Sequence, residues 1–273
     1  MLFFFLSGLL IVQSAERRCA PSFWTAHARR ILPGLVVALV VSLALAVLSG
    51  GAPDALEAAR YVLRGLSLVG LEHQITRAYA ANPYPGAVNG ALWSLQYEVA
   101  AYAICFATVK LDVLRRLAGV AAFLAAVVIL ACLAPVLPGK LATFAPLFLA
   151  YAFGTAAWRL RAIATVSPAL LILSVLVAVM AKGTPSAEIS ATLGVCLAVL
   201  LMTLRLPAVT LKGDISFGIY IYGWPVAQSL VALMPGLAPL QLAGLSIVCT
   251  LPVALTGWTL VERPSLPMRI QAA

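Results

Sequence analysis

Nine apolar runs divide the chain, at about 2–14, 31–49, 90–109, 114–134, 141–157, 166–181, 188–204, 214–234 and 239–260, each closed by charge or by Pro and Gly. Most approach the ~20 residues a helix needs to cross a hydrocarbon core ~30 Å thick. In lipid no water can pair an open backbone, so a repeatedly crossing chain with these runs must form helices. Of 273 residues, 63% are hydrophobic and 10% are charged, against roughly 25% charged in a soluble domain. The expected fold is all-α: a polytopic transmembrane helical bundle of about nine spanning helices, forming a single membrane domain over 1–273 with no length left for a soluble one. The weaker segment 61–71 is interrupted by Arg64 and flanked by Arg60, Glu72 and His73. It is too short and too charged to cross, and reads as an interfacial or re-entrant segment.

The net charge of +9 would point to nucleic acid in a soluble protein. Here the basic residues lie between apolar runs and report orientation, so no nucleic-acid partner is expected. With the end of the first run on the cytoplasmic side, thirteen of the 18 Lys and Arg fall inside, and only Arg60, Arg64, Arg77, Lys140 and Lys182 fall outside. Counting 61–71 as a span would invert every later loop. The favoured map therefore has nine spans, the N-terminus outside, the C-terminus cytoplasmic and the lipid bilayer as a partner. Of the five cysteines, Cys105, Cys132, Cys196 and Cys249 lie inside apolar runs without metal-ligand spacing and read as small buried hydrophobes. No metal site is expected.

The opening run reaches full apolar strength at the first residues and is closed by Glu16, Arg17 and Arg18. Positive charge after the run argues against a secretion signal. As a helix, 2–14 would reach about 20 Å at ~1.5 Å per residue, so the first segment is expected to be cut short, with part of the domain upstream of Met1.

Ionisable groups inside the runs narrow the function. Glu98 is followed by a wholly apolar stretch to Val109, and a carboxylate near a span centre costs about 2.5–3.5 kcal/mol. Such a residue either marks a site or braces another helix. On a continuous helix Ser94 and Glu98 would share a face with Ala91 and Ala101. Asp214, just ahead of an apolar run, is placed as an N-cap. Tyr220, Tyr222 and Trp224 lie deep, either packed with their polar tips paired or lining a substrate cavity. Arg29 and Arg30 precede Ile31-Leu32-Pro33, where they anchor orientation or clasp phosphates with paired hydrogen bonds. His27 in the same loop, and His73 on the other side, read as solvated. Glu262 beside Arg263 reads as a local ion pair closing the last helix. No GxSxG, HExxH or P-loop pattern is present.

Phe4-Phe5-Leu6-Ser7-Gly8, Arg30-Ile31-Leu32-Pro33, Leu92-Trp93-Ser94-Leu95-Gln96-Tyr97-Glu98, the block 213–226 and Val261-Glu262-Arg263-Pro264 together resemble the ordered landmarks of the acyltransferase-3 family of bacterial membrane O-acyltransferases. The resemblance implies about ten helices and a multi-pass protein of the bacterial plasma membrane. It also implies transfer of an acyl group, other than an aminoacyl group, from acyl-CoA (acetyl-CoA) as co-substrate to a carbohydrate acceptor such as exopolysaccharide or lipopolysaccharide. No bound cofactor is expected. Family members carry an arginine and a histidine on a helix before the Phe-Phe-x-Leu-Ser-Gly helix, and that histidine is the expected base. Here it would lie upstream of Met1. The basic loop also departs from the family's Arg-x-x-Arg-Ile, with Arg29 as a substitute for the first arginine.

On this reading Glu98 is the catalytic candidate, orienting or charge-stabilising the base, and Arg29, Arg30, Trp93, Ser94, Asp214 and Tyr220 bind substrate. The competing readings are a small transporter or flippase of an acyl donor or glycan precursor, which would also use an intramembrane carboxylate, and an inactive remnant of the enzyme.

Overall fold

The computed structural model describes residues 1–68, 70–72, 74–162, 167–205 and 213–266. His73 lies outside them. Among the described residues the fold is all-α: α1 (Leu2–Arg17), α2 (Ala20–Leu48), α3 (Ala55–Ser67), α4 (Leu95–Lys110), α5 (Leu117–Cys132), α6 (Gly139–Leu160), α7 (Pro168–Met180), α8 (Pro185–Arg205), α9 (Ser216–Leu233) and α10 (Pro239–Gly257). A 3₁₀ turn, Gly90–Ser94, precedes α4, and α10 continues through a π-turn at Trp258–Glu262 into a last helical turn, Arg263–Ser265. Each of the nine apolar runs contains a helix, and among the described residues four helices are long and apolar enough to cross a membrane: Ala20–Leu48, Gly139–Leu160, Pro185–Arg205 and Pro239–Ser265.

The polarity is inside out relative to a soluble protein. Ser7, Ser42, Asn89, Glu98, Thr155, Gln228 and Glu262 are buried, while Ile172, Leu173, Leu176 and Val179 of α7 and Ile247, Val248 and Leu255 of α10 are exposed. Lipid offers exposed apolar groups a favourable solvent and polar groups none, so polar side chains turn inward and pair there. Cys105 and Cys196 are buried as expected, whereas Cys132 is exposed and Cys249 intermediate.

Contacts divide the chain into two compact units, Met1–Phe23 with Tyr97–Val209, and Trp24–Gln96 with Thr210–Ala273. In the first, α6 is the most buried helix; α1, α5 and α8 pack on it, and α7 pairs with α8. Gly8 and Gly154 let α1 and α6 touch along their backbones: a Cβ at Gly8 would overlap the Tyr151 carbonyl, and one at Gly154 the Phe5 carbonyl. Small residues permit this approach in lipid, where dispersion contacts rather than a hydrophobic drive hold helices together. Thr155 Oγ1 adds a hydrogen bond to the Gly8 carbonyl at 3.3 Å. Farther along, Glu16 pairs with the Arg159 guanidinium and accepts from Trp158 Nε1 at 3.1 Å.

In the second unit α9 packs on α10 and on the 3₁₀ turn. The helix at the segment expected to be interfacial, α3, begins at Ala55, capped by Asp54, whose side chain accepts from Glu57 N. Its 13 residues reach about 20 Å, and it is amphipathic, with Tyr61 and Gly65 on the buried side. The run 90–109 is not one continuous helix, because its first five residues form the 3₁₀ turn.

Candidate functional site

Glu98 lies in the first turn of α4 and is 3% exposed. Its Oε1 accepts from Ser7 Oγ of α1 at 3.0 Å and from the Tyr102 hydroxyl one turn along α4. The Tyr102 spacing follows from helix geometry, since residues four apart share a face. The Ser7 contact is tertiary, made possible by α1. Around it, rings of Phe144, Phe148 and Tyr151 on α6 stack in sequence, with Tyr97 against Phe144 and Tyr102 beside Tyr151. The result is a carboxylate anchored by two hydroxyls in an aromatic, desolvated setting, where electrostatic interactions act at greater strength than in water.

The second constellation is in the other unit. Arg30 Nη2 pairs with Asp214 Oδ2 at 2.7 Å, and both side chains are about half exposed, at 48% and 49%. The other oxygen, Asp214 Oδ1, accepts from Ser216 N at 3.2 Å and Ser216 Oγ at 2.5 Å. Asp214 therefore does satisfy a backbone N–H at the start of α9, but from one position ahead of the N-cap, which is Ile215. Arg29 and Arg30 are not in a loop: α2 starts at Ala20 and carries both within its helix. His27, expected to be solvated, is 8% exposed. It falls on the same face as Ile31, Leu35 and Ala38, which are buried as well, because the helix extends upstream of the apolar run and its 3.6-residue period carries that face back to position 27. Arg29 is exposed.

Glu262 also departs from expectation. It forms no ion pair with Arg263; the π-turn leaves it 5% exposed with Oε1 unpartnered. Its Cγ lies 3.4 Å from where a Gly34 Cβ would be, so the carboxylate packs against α2 one turn beyond Arg30. Single π-turns inside α-helices recur at functional sites, and here the wider turn redirects a charged side chain inward.

The third group fixes the 3₁₀ turn and the segment leading into it. Tyr220, Trp224 and Gln228 recur every four residues on α9. Tyr220 OH donates to Ala91 O at 2.6 Å and pairs with Ser94 Oγ. Trp224 Nε1 donates to Ala87 O at 2.9 Å, and Gln228 Nε2 to Tyr84 O at 2.9 Å and Ala87 O at 2.8 Å. Asn89 Nδ2 reaches both Ser42 Oγ and Ile221 O at 3.1 Å. Non-helical backbone survives among apolar helices only where protein satisfies it. Ser94 thus belongs to the 3₁₀ turn rather than to the helix of Glu98, and its hydroxyl is engaged by Tyr220. Trp93, beside it, is 42% exposed. Among the described residues no three His, Cys, Asp or Glu side chains gather to hold a metal ion.

The family model for an acyltransferase domain, acyltransferase 3, matches residues 1–262. The chain belongs to the acyltransferase 3 family. Transferase activity and a multi-pass membrane setting follow from that membership together with the four helices of crossing length. No curated protein and no solved structure matches the chain.

Against this acyltransferase background, five of the expected site residues fall into three groups, Glu98 with Ser7 and Tyr102, Arg30 with Asp214 near Glu262, and Ser94 with Tyr220, while Arg29 and Trp93 are exposed and outside them. Ser7, Tyr102 and the burial of Glu262 and His27 were not expected from the sequence. Tyr102 was legible as the hydroxyl four residues after Glu98. The others depend on tertiary packing.

Proposed function

We propose that this acyltransferase is a membrane-bound O-acyltransferase of the bacterial plasma membrane that moves an acetyl or other acyl group from acyl-CoA to hydroxyls of a surface or secreted carbohydrate. The observation carrying the reading is Glu98, a carboxylate kept in an apolar helix and held at a fixed oxygen by two hydroxyls. Its role would be to orient and charge-stabilise the base that accepts the sugar hydroxyl proton, and proton transfer by such a base contributes typically 10²–10⁴-fold. The sugar oxygen adds to the thioester carbonyl, the C–S bond breaks, and the departing CoA thiolate recovers the proton from the base.

Arg29 and Arg30 would hold the CoA phosphates at the cytoplasmic face. The half-exposed Arg30–Asp214 pair supports this role: an exposed ion pair is worth only about 0–1 kcal/mol, so a phosphate can replace Asp214 on the guanidinium, with bidentate geometry adding strength. Asp214, Trp93, Ser94 and Tyr220 complete the proposed substrate contacts. Nine crossings, with the C-terminus cytoplasmic, agree with the distribution of Lys and Arg.

Membranes containing the chain, supplied with acetyl-labelled acetyl-CoA and de-O-acetylated polysaccharide, are expected to deposit label covalently on the glycan in an alkali-labile ester. Movement of donor or glycan across vesicles with no covalent label would instead establish the carrier, and neither outcome would leave the remnant.

A further inference from the structure

Described residues between Asp54 and Gly86 line a cleft that none of the three groups above uses. Its volume is about 770 Å³ and its polar lining includes Asp54, Glu57, Arg60, Glu72, Gln74 and Arg77. That volume falls within the ~300–1,000 Å³ of small-molecule sites. The cleft follows the C-terminal end of α2 at Leu48, 18 residues and so about 27 Å along the helix from Arg30.

Its framework is fixed by hydrogen bonds that each occupy one atom of a lining group. Glu57 Oε1 accepts from Thr76 N at 2.7 Å and Thr76 Oγ1 at 2.8 Å. Asp54 Oδ1 accepts from Glu57 N at 2.7 Å, and Glu72 Oε1 pairs with Arg64. The floor is tied by Ile75 N to Gly86 O at 2.9 Å, Gly86 N to Ala78 O at 2.7 Å and an antiparallel bridge between Gln74 and Ala87. Each carboxylate keeps its second oxygen, and the Arg60 and Arg77 guanidiniums have no hydrogen-bond or ion-pair partner among the described residues. Carboxylate acceptors and unspent guanidinium donors therefore both line a preorganised concavity with no single dominating charge. A hydroxyl-rich ligand presents the matching set, because each sugar hydroxyl both donates and accepts. A purely anionic ligand would meet three carboxylates, and a cation two guanidiniums.

We propose that this cleft binds the carbohydrate acceptor, holding an oligosaccharide segment on the face opposite the donor phosphates. The inference rests on the proposed carbohydrate acylation and adds where the acceptor docks. Carboxylate oxygens accept from vicinal hydroxyls, while Arg60 and Arg77 donate to hydroxyl and ring oxygens. Binding energy gathered here, away from the reacting centre, would position one hydroxyl for acylation.

The test uses the whole chain in lipid nanodiscs and an array of de-O-acetylated bacterial surface oligosaccharides, with Arg60→Ala and Arg77→Ala as variants. Neither guanidinium braces the fold, and an unchanged unfolding temperature verifies that. The expected result is that wild-type protein retains a subset of the oligosaccharides, each variant binds them at least tenfold more weakly, and acetyl-CoA affinity stays within twofold. Wild-type affinity in both variants, or no oligosaccharide retained by the wild type, overturns the proposal. If the variants bind like wild type while membranes still acetylate polysaccharide, only the cleft assignment fails. If no acetyl transfer occurs at all, it is the functional reading that fails.

Discussion

Glu98 and Glu262 are both buried carboxylates, yet only the first has hydroxyl partners. Removing either donor, with Ser7→Ala or Tyr102→Phe, leaves Glu98 short of one charge-assisted bond, worth about 1.5–3 kcal/mol. Each variant should unfold at a lower temperature in detergent, and the two losses should be non-additive because both bonds end on one oxygen. Glu262 predicts the opposite sign: an unpartnered buried carboxylate costs stability, so Glu262→Gln should raise the unfolding temperature, measured by differential scanning fluorimetry. A buried phenol gives a pH prediction. Burial pushes Tyr61 of α3 up to about 12, above its unfolded value of ~10. The folded state therefore binds the extra proton between those values, and its stabilising contribution, intact below pH ~10, is lost as pH rises to about 12. Tyr61→Phe should flatten that part of the stability profile. At this scale the sequence revealed Glu98 through its energetic cost in an apolar run, and Asp214 through its place before α9. It could not reveal Ser7 or Glu262, whose surroundings come from another helix or from a π-turn.

Helices were legible in the apolar runs because lipid leaves the backbone no alternative. Their ends and interruptions were less so. Leu92 and Trp93 continue the apolar pattern into Leu95, and nothing in that pattern marks the 3₁₀ turn that Tyr220 holds, or the approach to it that Trp224 and Gln228 hold at Ala87. Likewise Ala20 to Ala26 lack the apolar strength of the run after Ile31, so the first turns of α2 read as loop and His27 as solvated. The α1–α6 contact depends on glycine at two places. Gly154→Leu would drive a side chain into the Phe5 carbonyl, and overpacking of this kind costs about 1–3 kcal/mol, more where backbone must move. Its denaturation midpoint in mixed micelles should fall well below that of Gly244→Leu, where an added Cβ meets nothing within 4 Å.

For the whole molecule, the basic residues carry a topology that can be checked directly. With the native cysteines replaced, a cysteine at Gly183 should react with an impermeant maleimide added to intact cells, and one at Asp112 should react only after the membrane is opened. Both positions lie in short connections between helices, after α7 and after α4. Reversal of the pattern would invert the proposed placement of the donor phosphates and the acceptor cleft. The decisive measurement is single-turnover acetyl transfer from acetyl-CoA to polysaccharide by wild type and Glu98→Gln, with donor affinity measured in parallel. The proposed role predicts at least a hundredfold slower transfer with donor affinity unchanged. Transfer at the wild-type rate would remove Glu98 from the chemistry and leave it a brace between helices.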